Sequence, residues 1–200
     1  MLLVTGLGNP GARYARTRHN FGYWAVDALA SDRGLSFVPG KGDYVTAGRA
    51  KDGLVLLKPT SFMNECGVPV REAIAAIGAT PEGMLLLSDD IDLPLGKLRF
   101  RARGGAGGHK GLESIIYALG SDDFPRLRLG IATDAPMRPS EKYVLEPFRK
   151  RDQPLVTETL LRAVDAVNAY REQGIDHAMA RFNQPPMDEV AAKVGEAQSS

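Results

Sequence analysis

The stretch Gly6-Leu7-Gly8-Asn9-Pro10-Gly11, followed by Thr17-Arg18-His19-Asn20, decides how the rest of the chain is interpreted. It comes directly after the apolar run Leu2-Leu3-Val4, which is typical of a buried strand. An apolar helical period begins only near Phe21, so the two motifs form a long loop between a core strand and a helix. Polar side chains on such loops are often functional because the strand holds them in place.

Strand and helix patterns alternate along the chain, which is typical of a single α/β domain with a helix-flanked sheet. Segments 44–50 and 54–57 flank the turn Lys51-Asp52-Gly53, which predicts a β-hairpin and hence a mixed sheet. The run Leu85-Leu86-Leu87 is continuously apolar, as expected for a parallel strand covered on both faces. Helices are expected from Ser61 to Gly78 and, as the longest, from Val156 to a stop near Gly174.

Composition favours a cytoplasmic protein. Of the 200 residues 44% are hydrophobic, which is enough for a sizeable core. The longest apolar run, Met84-Leu85-Leu86-Leu87, is too short to span a membrane, and the N-terminus does not resemble a secretory signal. The single cysteine, Cys66, excludes an intramolecular disulfide and fits a reducing compartment.

Charge is unevenly distributed although the net charge is only +1. Five basic residues and no acidic residue lie between Leu93 and Leu112, namely Lys97, Arg99, Arg101, Arg103 and Lys110. A second basic cluster consists of Arg13, Arg16 and Arg18. The basic positions of the first cluster alternate with apolar ones, so one face of a strand is basic. This favours contact with phosphates, and the alternative is a solvated edge strand that discourages aggregation.

The spacing Gly6-x-Gly8-x-x-Gly11 also matches the dinucleotide-binding fingerprint. In that fingerprint the last glycine opens the helix that receives the pyrophosphate. Here Pro10 precedes Gly11 and the helix begins much later, which disfavours a nicotinamide cofactor. We therefore interpret the glycines as turn formers that let the backbone approach a ligand.

His19 is the candidate catalytic base. It shares its loop with Asn9 and Asn20, and Asp89 follows a predicted core strand. A carboxylate on one ring nitrogen would fix the tautomer of the imidazole and stabilise its protonated form. No sequence pattern indicates an activated serine or cysteine, so water is the simplest attacking group. The alternative is a surface histidine at the start of a helix.

A metal site is a further alternative. Asp89, Asp90 and Asp92 could supply oxygen ligands, but such a group is more often a polar turn at a strand end. The three histidines, His19, His109 and His177, are widely spaced and form no metal-binding motif. We expect neither a metal nor another cofactor.

Several segments resemble, in consistent order, the motifs of the bacterial peptidyl-tRNA hydrolase family. They are Gly6–Gly11 with Tyr14 and Thr17–Asn20, Phe62–Asn64 with Gly67, Asp89–Gly96, Gly104–Gly111 and Arg126–Ile131. The resemblance runs from about Leu2 to Asn183. It implies a single-domain α/β/α sandwich with a mixed, mostly parallel central sheet over residues 1–183, and we expect residues 184–200 to form a flexible tail.

The resemblance also implies a function and a set of site residues. Members of this family hydrolyse the ester that joins a peptide to the ribose of tRNA, as cytoplasmic monomers without a cofactor, and so recycle tRNA from stalled translation. By similarity His19 is the general base and Asp89 its orienting partner, while Asn9 contacts the peptide and helps to reject unblocked aminoacyl-tRNA. The remaining residues expected to bind peptidyl-tRNA are Tyr14, Asn20, Phe62, Met63, Asn64, Arg101, Lys110 and Arg128.

One position departs from the family pattern. The loop ends Gly108-His109-Lys110-Gly111, where the family usually has asparagine in place of Lys110. A lysine cannot accept a hydrogen bond, although it could pair with a phosphate. This departure leaves open the alternative of a non-catalytic RNA-binding homologue.

Overall fold

The computed structural model describes residues 1–135 and 139–184. The segment predicted to be a tail, residues 184–200, lies outside the described residues except for Gln184. The division into a catalytic domain and a tail therefore stays a prediction.

The described residues form one mixed sheet of seven strands in the order β2-β3-β4-β1-β5-β7-β6. The strands are β1 Leu2–Gly6, β2 Val38–Pro39, β3 Tyr44–Arg49, β4 Leu54–Pro59, β5 Met84–Pro94, β6 Leu98–Arg101 and β7 Arg126–Ala132. The four central strands β4, β1, β5 and β7 are mutually parallel. Strands β2 and β3 at one edge and β6 at the other run antiparallel to their neighbours.

Helices cover both faces of this sheet. They are α1 Phe21–Asp32, α2 Gly67–Ile77, α3 Lys110–Leu119, α4 Ser140–Val144 and α5 Gln153–Phe182. One apolar core contains buried residues of α1 and α5, and a second core on the opposite face contains those of α2 and α3. The predicted α/β/α sandwich with a mixed sheet is therefore confirmed, with the parallel part in the four central strands.

The predicted bounds of individual strands and helices agree with the structure to different degrees. The hairpin between β3 and β4 is confirmed, and Gly53 in its turn has φ of 76°, a conformation that glycine adopts easily. The helix expected from Ser61 begins only at Gly67, because residues 63–65 form a single 3-10 turn first. The predicted stop at Gly174 is a break within α5, where φ of 80° interrupts the helix before it continues to Phe182.

The chain connectivity places a crevice at the carboxyl ends of the central strands. Strand β1 leads into α1 on one face of the sheet, whereas its neighbour β4 leads into α2 on the other face. Loops that leave adjacent parallel strands toward opposite faces diverge, and ligands of open α/β sheets bind in the resulting gap. The loops after β1 and β4 carry the first two motifs of the sequence.

The edge strand β6 is covered by a side chain rather than by another strand. The Asn183 side-chain Oδ1 accepts a hydrogen bond from the Phe100 backbone N–H at 2.6 Å, and its Nδ2 donates to the Phe100 carbonyl oxygen at 3.2 Å. The carboxamide thus imitates a paired strand at this position. Such protection of an open edge opposes pairing with other chains.

Two glycines bring helix α1 into direct contact with the sheet. A Cβ atom on Gly22 would lie 2.4 Å from the Leu87 carbonyl oxygen and 2.6 Å from the Leu7 amide nitrogen. A Cβ atom on Gly6 would lie 2.4 Å from the Gly22 carbonyl oxygen. The interpretation of Gly6 as a turn former next to a ligand is therefore wrong, because the missing side chain makes room for α1.

We expect Gly22→Ala to lower the free energy of unfolding by about 3 kcal/mol, because the added methyl group meets backbone atoms that cannot rotate away. The midpoint of urea unfolding measures this loss. Gly83→Ala is the matched control, since its nearest neighbour would be the Thr80 Oγ1 at 3.5 Å, an ordinary contact. Equal midpoints for both variants would contradict the close approach of α1.

Candidate active site

A cleft of about 870 Å³ lies at the carboxyl ends of the central strands. It is bordered by the loop after β1, the loop after β4, the end of β5, the glycine-rich loop before α3, and α4. Most residues predicted to form the site line this cleft: Asn9, Tyr14, His19, Phe62, Met63, Asn64, Asp89, Lys110 and Arg128. Asn20 and Arg101 do not line it.

The imidazole of His19 and the carboxylate of Asp89 form a close pair. The His19 Nδ1 lies 3.0 Å from both carboxylate oxygens of Asp89. The Asp89 side chain is only 2% exposed, and that of His19 is 12% exposed and reaches the cleft. Because an ionised carboxylate only accepts hydrogen bonds, Nδ1 carries the hydrogen and Nε2 keeps its lone pair. A ring in this tautomer is suited to accept a proton at Nε2.

A second histidine, which sequence reasoning did not assign to the site, holds the same carboxylate. The His109 Nε2 lies 3.0 Å from the Asp89 Oδ1. His109 is also the N-cap residue of α3, where its Nδ1 accepts hydrogen bonds from the backbone N–H groups of Gly111 and Leu112. With Nδ1 accepting, Nε2 must carry the hydrogen and donate to Asp89. A histidine directly before a helical pattern, after a run of glycines, was the available clue.

These contacts shift the pKa values of both partners in the pair. Burial lowers the pKa of His19, but the adjacent Asp89 carboxylate outweighs this effect and raises it above its ordinary value of 6.5. Burial raises the pKa of Asp89, but His19 and His109 outweigh it, and the net result is well below the usual range. Asp89 therefore stays ionised near neutral pH. Its contribution to stability is present above the ordinary aspartate pKa and is lost as the pH falls through the lowered value.

The same three side chains could hold a metal ion by their spacing, since their ligand atoms lie within 4.8 Å of one another. The hydrogen bonds oppose this use. The lone pair of the His109 Nδ1 is taken by two backbone amides, so Nε2 presents a hydrogen where a metal requires a lone pair. The neighbouring carboxylate of Asp90 pairs with Arg128 at 3.3 Å. The donor set thus fits a hydrogen-bonded carboxylate better than a metal centre.

Asn9 is held in one orientation by its neighbours. Its side-chain Oδ1 accepts a hydrogen bond from the Met63 backbone N–H at 2.8 Å, and this leaves Nδ2 as a donor at the cleft. The Asn20 side chain binds the backbone of Asn9 on both sides, with Oδ1 accepting from its N–H and Nδ2 donating to its carbonyl oxygen. Asn20 is buried and has both amide atoms engaged. Asn20 therefore holds the backbone of Asn9 in place. We had expected Asn20 to contact the substrate, but its amide is already engaged within the protein.

The chain is similar to known proteins over most of its length. A sequence model of the peptidyl-tRNA hydrolase family matches residues 3–190. The chain belongs to this family. The peptidyl-tRNA hydrolase of Thermodesulfovibrio yellowstonii is 37% identical over 187 residues, which are 92% of this chain and 100% of that protein. That of a Synechococcus species is 45% identical over 190 residues, 90% of this chain and 91% of its own.

The fold agrees with a solved structure of the family as well. The crystal structure of peptidyl-tRNA hydrolase from Acinetobacter baumannii superimposes with a TM-score of 0.83 at 31% sequence identity. The match covers 92% of this chain and 94% of that one. The relatives are named as hydrolases, and the chain is an enzyme of that class. None of the described helices has the length and apolar character needed to cross a membrane.

Lys110, the position at which the sequence departs from the motif that it resembles, lies at the rim of the cleft. Lys110 is the first residue of α3, and its Nζ lies 3.0 Å from the Glu113 Oε2 one helical turn further on. Both side chains are exposed, so this ion pair contributes little to stability. Its ammonium group is therefore exposed to solvent beside the cleft.

The arginines that looked alike in the sequence have different roles. Arg126 is buried on β7 and donates to the carbonyl oxygens of Gly105 and Asp122, so it holds the glycine-rich loop. Arg128 lines the cleft and pairs with Asp90, whereas Arg101 is exposed on β6. Arg18, which belongs to the second basic cluster of the sequence, has a buried side chain.

Neither candidate protein nucleophile is activated. Burial raises the pKa of the Cys66 thiol to about 12, so the thiolate is absent at neutral pH. The Ser88 hydroxyl is buried at the cleft and has no hydrogen-bond partner among the described residues, hence no adjacent base. Neither side chain therefore has the ionisation or the hydrogen-bonded base that an activated nucleophile needs.

Replacing Asp89 by Asn removes the negative charge that raises the pKa of His19. We expect the acid limb of the pH profile of kcat/KM to move to lower pH and the maximal rate to fall, because the imidazolium loses its partner. The measurement is the rate of ester cleavage between about pH 5 and 9. An acid limb at unchanged pH would contradict the assigned role of Asp89.

Proposed function

We propose that this enzyme cleaves the ester bond between a peptide and the 3′ ribose of tRNA, with His19 activating the water. The observation that carries the proposal is the His19–Asp89 pair at the wall of an open cleft. Release of tRNA from peptides left by stalled translation is the corresponding role in the cell. Membership of the peptidyl-tRNA hydrolase family supports this choice of substrate.

The proposed reaction begins with transfer of a proton from water to the His19 Nε2. The resulting hydroxide attacks the ester carbonyl carbon, and the tetrahedral intermediate then breaks its bond to the ribose oxygen. The imidazolium returns the proton to that oxygen, so that tRNA leaves with its hydroxyl restored, and the peptide is released as a carboxylic acid that loses its remaining proton to the solvent. The Asp89 carboxylate stabilises the imidazolium throughout but remains ionised.

Asn9 and Asn64 are suited to orient the substrate in this reaction. The free Nδ2 of Asn9 can donate a hydrogen bond to a peptide carbonyl oxygen, since its Oδ1 is already occupied by Met63. A fixed donor of this kind favours a peptide over a charged free amino group, which would account for rejection of unblocked aminoacyl-tRNA. Asn64 is exposed at the cleft, where its amide can bind the substrate or the attacking water.

The tRNA end of the substrate is proposed to meet aromatic and basic side chains. The rings of Tyr14 and Phe62 contact each other edge to face with centroids 6.1 Å apart, and both line the cleft. Half-exposed aromatic rings offer stacking surfaces for unpaired bases. Arg101, Lys110 and Arg128 supply the positive charge for phosphates, and Lys110 provides this where the family usually has asparagine.

We expect His19→Ala to lower the rate of cleavage by about 10²- to 10⁴-fold while tRNA binding is retained, because only the general base is lost. The assay follows release of tRNA from N-blocked aminoacyl-tRNA, and free aminoacyl-tRNA serves as the control substrate. Unchanged turnover in the variant would refute the mechanism. A wild-type protein that binds tRNA but does not cleave either substrate would favour the non-catalytic RNA-binding homologue.

Arg101→Gln should reduce the slope of log K for tRNA binding against log salt by about 0.7 to 0.9, the contribution of one phosphate contact. Arg128→Gln should have a smaller effect, because Asp90 already neutralises part of its charge. Lys51→Gln is the matched control, since Lys51 lies in the β3–β4 turn at the opposite end of the sheet. Equal slopes for all three variants would exclude the proposed phosphate contacts.

A further inference from the structure

Arg18, the residue directly before the catalytic histidine, is buried with only 1% of its surface exposed. A buried guanidinium costs free energy unless its donors are satisfied. Its Nη1 donates to the carbonyl oxygens of Tyr143 at 3.0 Å and Glu146 at 3.2 Å. Its buried Nε has no hydrogen-bond partner among the described residues. Arg18 is thus bound to one segment of the chain. Burial of its unpaired Nε costs free energy of solvation.

The segment it binds is α4 and the turn that follows. The guanidinium carbon lies 4.0 Å from the centre of the Tyr143 ring and 5.3 Å from that of Phe148. The Tyr143 carbonyl belongs to the last turn of α4, where helical carbonyls lack partners within the helix and carry partial negative charge, and the Glu146 carbonyl lies in the turn that follows. Arg18 therefore acts as a cap for a helix to which it does not belong.

Helix α4 and its turn are also attached through the Tyr143 hydroxyl, which accepts from the Thr133 backbone N–H at 3.1 Å, and through the backbone of the catalytic loop. The Tyr143 hydroxyl donates to the Ile131 carbonyl oxygen at 2.7 Å and so joins the helix to the end of β7. The Arg18 backbone N–H donates to the Glu146 carbonyl oxygen at 3.1 Å. At five residues the helix is too short to be stable alone, so these contacts set its position.

The position of α4 matters because it forms one wall of the cleft. Four of its residues or immediate neighbours line the cleft: Ser140, Glu141, Val144 and Leu145. The last of these is an exposed apolar side chain. A wall that carries apolar groups beside the reacting centre contacts whatever part of the substrate lies against it.

We propose that Arg18 is a positioning residue, whose guanidinium fixes the α4 wall of the cleft relative to the catalytic loop. The proposal rests on the proposed function for its enzymatic readout. Arg18 does not touch the His19 ring, which is oriented by Asp89 and, through Asp89, by His109. Loss of the guanidinium therefore affects substrate binding and leaves proton transfer intact.

Arg18→Lys tests this directly, because lysine keeps the charge but lacks the planar guanidinium that lies over the rings of Tyr143 and Phe148. We expect KM for N-blocked aminoacyl-tRNA to rise about tenfold, while kcat stays within about twofold and the acid limb of the pH profile does not move. A fall in kcat with KM unchanged, or a displaced acid limb, would overturn the proposal.

Two structural readouts test the contact without any assay of activity. Trp24, the only tryptophan of the chain, packs against Phe148 with ring centroids 6.0 Å apart, so its fluorescence should change in Arg18→Lys. Amide hydrogen exchange in residues 140–146 should become faster at the same time. Unchanged emission and exchange would overturn the proposal even if KM rises.

Arg33→Lys is the matched control for a general loss of stability. Arg33 donates to the Asn168 side chain and joins α1 to α5 away from the cleft. We expect a similar loss of stability but unchanged KM and unchanged exchange in residues 140–146. A rise in KM in this control equal to that in Arg18→Lys would show that stability alone explains the effect, and would overturn the proposal.

Tyr143→Leu provides a second variant from the other side of the contact. It removes the ring below the guanidinium, so combining it with Arg18→Lys should raise KM by clearly less than the product of the two single effects. Multiplicative effects would overturn the proposal. A wild-type protein without ester cleavage would refute the proposed function alone, since the fluorescence and exchange measurements still decide the role of Arg18.

Discussion

The structure of the site depends on one buried carboxylate. Asp89 is almost completely removed from water, and an ionised carboxylate in that position is costly unless it is paired and hydrogen-bonded. It accepts hydrogen bonds from His19 in the loop after β1 and from His109 at the start of α3. The two loops are therefore tied to the same point, and the requirement to satisfy Asp89 fixes the tautomer of both rings. The free lone pair of His19 at the cleft is a consequence of that requirement.

The sheet provides the precision that this arrangement needs. Asp89 lies on β5, and the loop with His19 leaves the adjacent parallel strand β1. Helix α1 follows immediately and packs on the backbone of both strands, because Gly6 and Gly22 have no side chains to hold them apart. The loop is thus held at both ends by rigid elements. Its internal hydrogen bonds, between Asn9 and Asn20, complete the scaffold.

The arginine side chains of this structure fall into three groups. Arg18 and Arg126 are buried and bind backbone carbonyl groups, so they hold segments of chain in place. Arg128 is partly neutralised by Asp90, and Arg101 is exposed to solvent on β6. Only a subset of the basic residues is therefore accessible to an anion in solution. A count of basic residues along the sequence overstates the basic surface, because the count includes buried arginines that solvent does not reach.

The sequence by itself determined the fold class, the family and the hairpin, and the resemblance to the family implied the pairing of His19 with Asp89. These follow from local periodicity and from motifs whose residues are close in sequence or lie at the ends of recognisable strands. Only the tertiary structure decided that His109 shares the carboxylate, that Asn20 is a buried support, that Gly6 serves packing and that Arg18 is buried. Each of these depends on contacts between residues far apart in the chain, and burial and hydrogen-bond partners at that distance leave no periodic trace in the sequence.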